Sequence, residues 1–425
     1  MKTDFILLLG ANQFQRERAL IGAEKVFDGA VVTVSPLAPF QVSKYSANTL
    51  NSEETNPKVL LNDVINFCDA KKMNLRAVVP LNDFVLNAGL VVAEYFRLPY
   101  NSEKTISSCR TKDVMKSILM KAGLPVVASS RFATLIEADE IANKIGYPLV
   151  IKPVNFGGSG GVIKVEHKAN LAEAISKTQA HLNNFASKYD SDPINMLMEP
   201  YITIKREISV EVINTPKFRK VIGITDKFLG QEPHFSEIAH LVPSTFMIDE
   251  SLTKRIESIA IKACEALDIK YGMAHVEMKV SPGGEIIIIE VGARTAGDGI
   301  LDLYEKATGF NLYGIHCKAL LNSLTEAMLP RKFIKSAAIG YIHPASGTIE
   351  SINPESLSTY DLLNVDLICI KSQVGQNVLP PRDWSTRYGF IEFTIQNDEE
   401  ACGEFDPVSM TKSITDKLFK IRTEA

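Results

Sequence analysis

At 425 residues the chain exceeds one typical domain, so two or three are expected, and 45% hydrophobic with 23% charged residues supply an ordinary globular core. A net charge of −4, from 46 basic and 50 acidic residues with no basic run, argues against a nucleic-acid binder. The six cysteines are scattered without a CxxC pair and read as reduced, packed thiols of a cytoplasmic protein, while no apolar run is long enough for a membrane span.

Residues 1 to 108 alternate strands (FILLLG, GAVVTVSP, RAVVPL) with helices (QRERALIGAEKV, VLLNDVINFCDAKK, NAGLVVAEYF), which predicts a parallel sheet covered on both faces. Gly10 is followed by ANQFQ without GxGxxG spacing, so it reads as a turn and not as a dinucleotide site. A polar connection over Asn101–Arg110 precedes the helix TKDVMKSILMKAG, with Val114, Ile118 and Leu119 expected on one face. Lys112 lies in its first turn, where a cation opposes the helix dipole; it is either a solvated lysine or one placed to meet a ligand.

The stretch PLVIKPVNFGGSGGVIKV then joins strand to strand through a loop with Gly157, Gly158, Ser159, Gly160 and Gly161. Glycines free backbone N–H groups to close over phosphate oxygens, and Lys152 at the end of the entering strand can reach the same group. A strand-to-strand loop is not a Walker A loop, and a plain flexible hairpin is the alternative. A helix from Asn170 to about Lys188 and the segments of MLMEPYITIKREISVEVI follow, and period-2 spacing puts Glu207, Ser209 and Glu211 on one face. ITDKFLGQEPHFSEIAHLVPS reads as a charged loop in which Glu237 and His240 are spaced as on one helical turn; zinc is conceivable there, but no Cys or second HxxxH supports it.

An amphipathic helix over 252–267 leads to HVEMKVSPGGEIIIIEVGARTAGDG, a β-hairpin turning at Pro282–Gly284. Val276, Met278 and Val280 share one face, with His275, Glu277 and Lys279 on the other. Symmetry about Gly283–Gly284 sets Glu277 opposite Glu290 with Cβ atoms ~5 Å apart. Like charges so placed destabilise a sheet unless a cation lies between them, and a hard divalent ion that also holds phosphates fits; an exposed acidic face paired by chance is the plain alternative. Past Gly299 come a helical stretch, short strands from Ala337 onward and a closing helix, suggesting a small α+β region, with Trp384 in PPRDW read as packing.

In their order along the chain, Lys112, Lys152 with the glycine loop, Glu199, Glu207, Glu277, Glu290 and Arg294 resemble the ATP-grasp superfamily, closest to the carboxylate–amine ligases that join two amino acids. The resemblance spans nearly the whole chain and implies an α/β and α+β ATP-grasp fold. It implies an N-terminal parallel-sheet domain (1–108), an ATP-grasp domain (109–322, lid about 127–201) and a C-terminal α+β subdomain (323–425). By resemblance, Lys112 and Lys152 are the phosphate-contacting lysines and Gly157–Gly161 the lid loop. Glu199, Tyr201 and Ile202 form the adenine hinge, Glu207 holds ribose, and Glu277 with Glu290 ligate magnesium, two ions for which Mn²⁺ can substitute. Glu237 and His240 contact an amino acid, and Arg294 neutralises the activated carboxylate. The implied reaction uses ATP to activate a small-molecule carboxylate as an acyl phosphate that an amine captures. A carrier-protein thiol, a carboxylase-type acceptor and a non-catalytic nucleotide-binding module are the alternatives; a homodimer, no membrane and no nucleic acid complete the expectation. Two departures stand out: the hinge EPYITIKRE lacks the usual glycine, and Gly292 stands where the wider superfamily often has Asn.

Overall fold

The computed structural model describes residues 3–11, 17–34, 48–189, 195–396 and 405–423. The first two residues of the first predicted helix, Gln15 and Arg16, the end of the second predicted strand at 35–36 and Cys402 lie outside these.

The N-terminal strands form a parallel sheet in the order Asn48–Leu50, Ala30–Val34, Thr3–Leu9, Met73–Pro80. Phe5, Leu7 and Leu9 pack toward the helices Pro57–Lys71 and Leu86–Phe96, while Ile6 and Leu8 face Glu17–Val26 and Leu312–Leu320. A strand covered on both sides must be apolar at every position, which is why FILLL does not alternate. Gly10 takes a left-handed φ of 79°, and its N–H donates to Glu54 Oε2 at 2.7 Å. A protein carboxylate thus occupies the amide that a dinucleotide turn would offer to phosphate.

A four-stranded antiparallel sheet follows, in the order Ser130–Phe132, Met196–Pro200, Leu149–Pro153, Ile163–Val165, with helices Leu135–Ile145 and Leu171–Tyr189 against it. Thr134 and Glu137 close a capping box at the first of these helices.

The centre is an eight-stranded antiparallel sheet, ordered Ile286–Gly292, Gly272–Val280, Arg206–Asn214, Arg219–Leu229, Glu237–Val242, Lys335–Tyr341, Gly389–Gln396, Val365–Ile370. One face of its first four strands carries Ile208, Val210, Val212, Ile224, Val276 and Met278 against helices Glu250–Ala266 and Lys112–Lys121. The opposite face carries Glu207, Glu211, Lys227, His275 and Glu277, and this face builds the site.

Three expectations are corrected. The charged stretch read as a loop is a hairpin of two central strands in which Asp226, Lys227, Glu237 and His240 are buried and Lys227 pairs with Glu237, and that charge density reads as solvent exposure in sequence. In the helix beginning at Lys112 the inner face is Met115 and Leu119 with Lys112 and Lys116, whereas Val114 is 41% exposed. The polar stretch Asn101–Arg110, read as a connection, is mostly a helix, Glu103–Arg110, capped by the Ser102 side chain. Among the described residues no helix is long and apolar enough to cross a membrane, Cys109, Cys264 and Cys317 are buried free thiols, and Cys68 is buried.

Candidate active site

Near the hairpin turn, Val280 pairs with Ile286 and Met278 with Ile288, one residue out of symmetry about Gly283–Gly284. A bulge between Glu277 and Met278 restores the expected register, so Glu277 does stand opposite Glu290. Cations relieve the repulsion. Lys227 Nζ lies 2.6 Å and His275 Nε2 3.2 Å from Glu277 Oε1, and Lys112 Nζ lies 3.0 Å from Glu290 Oε1. The second oxygen of each glutamate makes no hydrogen bond among the described residues. One open carboxylate oxygen from each of two facing strands suits a divalent cation. Burial disfavours the charged form of His275, but Glu211, 2.7 Å from Nδ1, outweighs it and raises the ring to about 9. Burial likewise opposes the Glu277 carboxylate, yet Lys227 and His275 hold it well below the usual range.

Lys227 is the hub of the polar face, 2.6 Å from Glu237, 2.6 Å from Glu277 and 3.5 Å from Glu207. Lys279 lies 3.8 Å from the other oxygen of Glu207. Glu237 and His240 reach this face through a strand, not a helical turn. In a regular strand residues three apart face opposite ways, but a bulge between Phe228 and Leu229 pairs Leu229 with Glu237 and Lys227 with His240. His240 Nε2 is then 3.8 Å from Glu237 Oε2 and 4.0 Å from Asp298 Oδ2, and both its ring nitrogens are buried without a hydrogen bond. Burial keeps this ring neutral, with its pKa pushed down to about 4. Ligand atoms of Glu237, His240 and Asp298 converge within 4.8 Å. Arg387, however, forks Asp298 at 2.8 and 3.3 Å and reaches Glu237 at 3.2 Å, so protein cations already answer these carboxylates and a metal is not favoured there.

The glycine loop links the strands Leu149–Pro153 and Ile163–Val165, with Gly158, Ser159 and Gly161 at positive φ. Lys112 ties it to the hairpin: its backbone N–H donates to Val154 O, and its ammonium donates to Phe156 O and Glu290. Behind the loop, Glu199 is buried between Lys152 at 2.8 Å and Lys116. One carboxylate between two ammonium groups leaves this trio with a surplus positive charge, an electrostatic match for phosphate. Burial and the neighbouring Lys152 push Lys116 down to about 7. Beyond Glu199, the Tyr201 N–H donates to Pro148 O and its hydroxyl donates to Glu232 at 2.6 Å, with Lys164 over the ring; Ile202, partly exposed, continues the connection between the two sheets.

Arg294 donates from Nε to Asp83 Oδ2 at 2.7 Å and from Nη1 to Thr295 O at 3.0 Å, which fixes the guanidinium plane and leaves Nη2 without a partner among the described residues. A Cβ on Gly292 would stand 3.3 Å from Arg294 Nε and 3.5 Å from Asp83 Oδ1. The Arg294–Asp83 pair therefore fills the space a larger side chain at 292 would need. A cavity of about 580 Å³ is lined by Glu277, Arg294, Glu237, Asp298, Trp384 and Arg387 among others. Trp384, expected as packing, is 39% exposed and lies against Gly158.

The fold thus brings Glu277, Glu237 and Arg294 to one cavity, links Glu277 to Glu237 through Lys227 with His240 beside Glu237, sets the Lys112–Glu290 pair across the hairpin, and places Lys152 and Glu199 behind the glycine loop. Sequence reasoning missed Lys116, which sits four residues after Lys112 and so on the same helix face, a signal that was available. It also missed Asp83, Lys227, Asp298 and Arg387. For these no local pattern exists: Arg387 is 89 residues from Asp298 and 150 from Glu237.

Residues 145–302 match the ATP-grasp domain family. This stretch carries an ATP-grasp domain. The chain is 31% identical over 232 residues to D-alanine–D-alanine ligase A of Chromobacterium violaceum, covering 52% of this chain and 59% of that protein. It is 28% identical over 249 residues to the D-alanine–D-alanine ligase of Shouchella clausii, covering 55% and 62%. The chain thus spans about three-fifths of the length of these curated relatives. The crystal structure of an L-amino acid ligase from Bacillus licheniformis superposes with a TM-score of 0.79 at 22% identity, over 100% of this chain and 99% of that one. That of an N5-carboxyaminoimidazole ribonucleotide synthetase from Thermotoga maritima does so at 0.68 and 16%, over 100% of both. These likenesses show the ATP-grasp fold.

Proposed function

We propose that this protein is an ATP-dependent carboxylate–amine ligase that activates an amino acid or related carboxylate and joins it to an amine. The observation that carries this reading is the placement of Glu277, paired across the hairpin with Glu290, in one cavity with the pre-oriented Arg294 and with Glu237, behind which His240 is buried. A nucleotide-binding module would need the lysines and the glycine loop, but not a guanidinium held by Asp83 with an open N–H group in the cavity beside Glu277.

In this reading Lys112, Lys152 and the amides of Gly157–Gly161 bind the phosphates of ATP, with Glu199, Tyr201 and Ile202 at the base and Glu207 at the ribose. Glu277 and Glu290 would hold Mg²⁺, two ions with Mn²⁺ able to substitute, and a divalent ion there supplies charge neutralisation on phosphate oxygens. The substrate carboxylate oxygen attacks the γ-phosphorus, the bond to the ADP oxygen breaks, and an acyl phosphate forms. The amine nitrogen then attacks the acyl carbon, phosphate leaves with the C–O electron pair, and the nitrogen loses a proton to give the amide. Arg294, its plane set by Asp83, faces the carboxylate through Nη2, while Glu237 and His240 accept from the substrate ammonium. Residues 127–201 act as the lid of the 109–322 unit, between the 1–108 and 323–425 units, and closing it keeps water from the acyl phosphate.

The test is a screen for ADP and phosphate release over amino acids, singly and in pairs, with mass spectrometry of the product. Release that depends on an amino acid, with an amide product, is expected. If no carboxylate stimulates release, the ligase reading fails.

A further inference from the structure

The cavity beside the paired glutamates has a second wall, built from the segment past residue 340 and outside the stretch that matches the ATP-grasp domain. Its lysine and arginine side chains are Lys227, Arg294, Lys371 and Arg387. Three of them are committed: Lys227 to Glu237 and Glu277, Arg294 to Asp83, and Arg387 to Asp298 and Glu237. Lys371 is not. Among the described residues its ammonium has no carboxylate partner and stands 5.3 Å from the centre of the Phe390 ring.

Its position is set by the sheet. Ile370 pairs with Gly389, and the Lys371 N–H donates to Tyr388 O at 2.9 Å, so Lys371 leaves the edge strand directly beside Arg387 and Phe390. Arg387, stacked 3.6 Å from the centre of the Tyr341 ring, is pinned toward Asp298, which leaves Lys371 as the cation on this wall able to meet a ligand. A cation–π contact at an exposed site is weaker than a charge-assisted hydrogen bond to a carboxylate. The ammonium therefore has more to gain from an anion in the cavity than from its present neighbour.

We propose that Lys371 is a specificity-determining residue for the second substrate, selecting an amine acceptor that carries a carboxylate. This rests on the ligase reading. In that reading the carboxylate being activated is met by Arg294, which follows the strand at the other edge of the central sheet, so an anion at Lys371 belongs to the other reactant. The acceptor lies with its nitrogen toward the acyl carbon and its negative group toward the C-terminal wall, where Phe390, Tyr313 and Ile300 add apolar surface.

The experiment uses the full chain with ATP, Mg²⁺ and the activating amino acid found in the screen. Two matched acceptor pairs are offered, alanine against alaninamide and glutamate against glutamine, to separate an α-carboxylate from a side-chain carboxylate. The wild type is expected to prefer the carboxylate member of at least one pair. Lys371→Gln should raise KM for that member about tenfold or more with a smaller change in kcat, abolishing the preference. Lys371→Glu should reverse it, and Lys371→Arg should restore it. Lys371 is exposed, so these variants are expected to fold, and circular dichroism verifies it. Amide formation in which Lys371→Gln keeps the wild-type preference, or in which the wild type has none, overturns the Lys371 assignment and leaves the ligase reading standing. Absence of any carboxylate-stimulated phosphate release from the wild type overturns both.

Discussion

Glu277 carries two jobs that one substitution can separate. Its Oε1 accepts from Lys227 and His275, while its other oxygen has no partner among the described residues. Glu277→Gln keeps the shape and removes one charge and one hard ligand. ATP turnover should fall by about two orders of magnitude or more, with the melting transition still cooperative; near wild-type turnover at saturating Mg²⁺ would remove Glu277 from the metal site. Arg294 calls for a paired design, because truncating it would strand the Asp83 carboxylate, which is drawn below its usual range by Arg294 despite burial. In an Asp83→Asn background, Arg294→Ala should abolish amino-acid-stimulated phosphate release yet leave calorimetric ATP affinity within a few-fold. Equal losses in both readouts would make Arg294 a phosphate ligand.

The glycine loop is bounded on both sides. A Cβ on Gly160 would lie 2.5 Å from His181 Nε2 and 2.5 Å from Phe156 Cε1, and Gly158, at φ +66°, would bring one to 2.9 Å from Trp384 Cδ1. Gly160→Ala must displace aromatic side chains, and should raise KM for ATP and lower kcat together, at a stability cost of about 1–3 kcal/mol. Unchanged kinetics with a stability loss alone would reduce the loop to a connection. Trp384 offers a direct view of this element, because the chain holds a single tryptophan. Its emission should shift on titration with ATP and Mg²⁺, and the shift should be smaller in Gly160→Ala; a spectrum indifferent to saturating nucleotide would separate the loop at Trp384 from the nucleotide site.

Acid should loosen the whole molecule. Burial lowers both His240 and His343 to about 4 from an ordinary 6.5. The fold holds each ring neutral while the unfolded chain protonates it, so the associated stability is complete above pH 6.5 and is lost as pH falls toward 4. Each contributes up to ~3 kcal/mol at the upper end of that window. Depressed carboxylates such as Asp298 add in the same direction, so the comparison is between proteins: between pH 7 and pH 4.5, His343→Gln should lose less urea stability than the wild type. Equal losses would mean that His343 is protonated in the folded state.

Patterns that the backbone reads over a few residues were legible in the sequence. The two-residue period of 272–280 and the turn at Pro282–Gly284 placed Glu277 against Glu290, and the run of glycines after a strand marked the loop that Lys112 contacts. Even there, the right pairing came from a symmetric register that the structure reaches only through a bulge. What lay beyond a few residues was decided by the tertiary structure. Sheet order brings Lys227 among Glu207, Glu237 and Glu277, a bulge turns Glu237 and His240 to one face, and strands added on the far side deliver Arg387, Lys371 and Trp384 to the cavity. Local periodicity follows from the 3.6- and 2-residue repeats of the chain itself. Strand neighbours and bulges follow from packing between segments a hundred residues apart, and no stretch of this sequence displays that on its own.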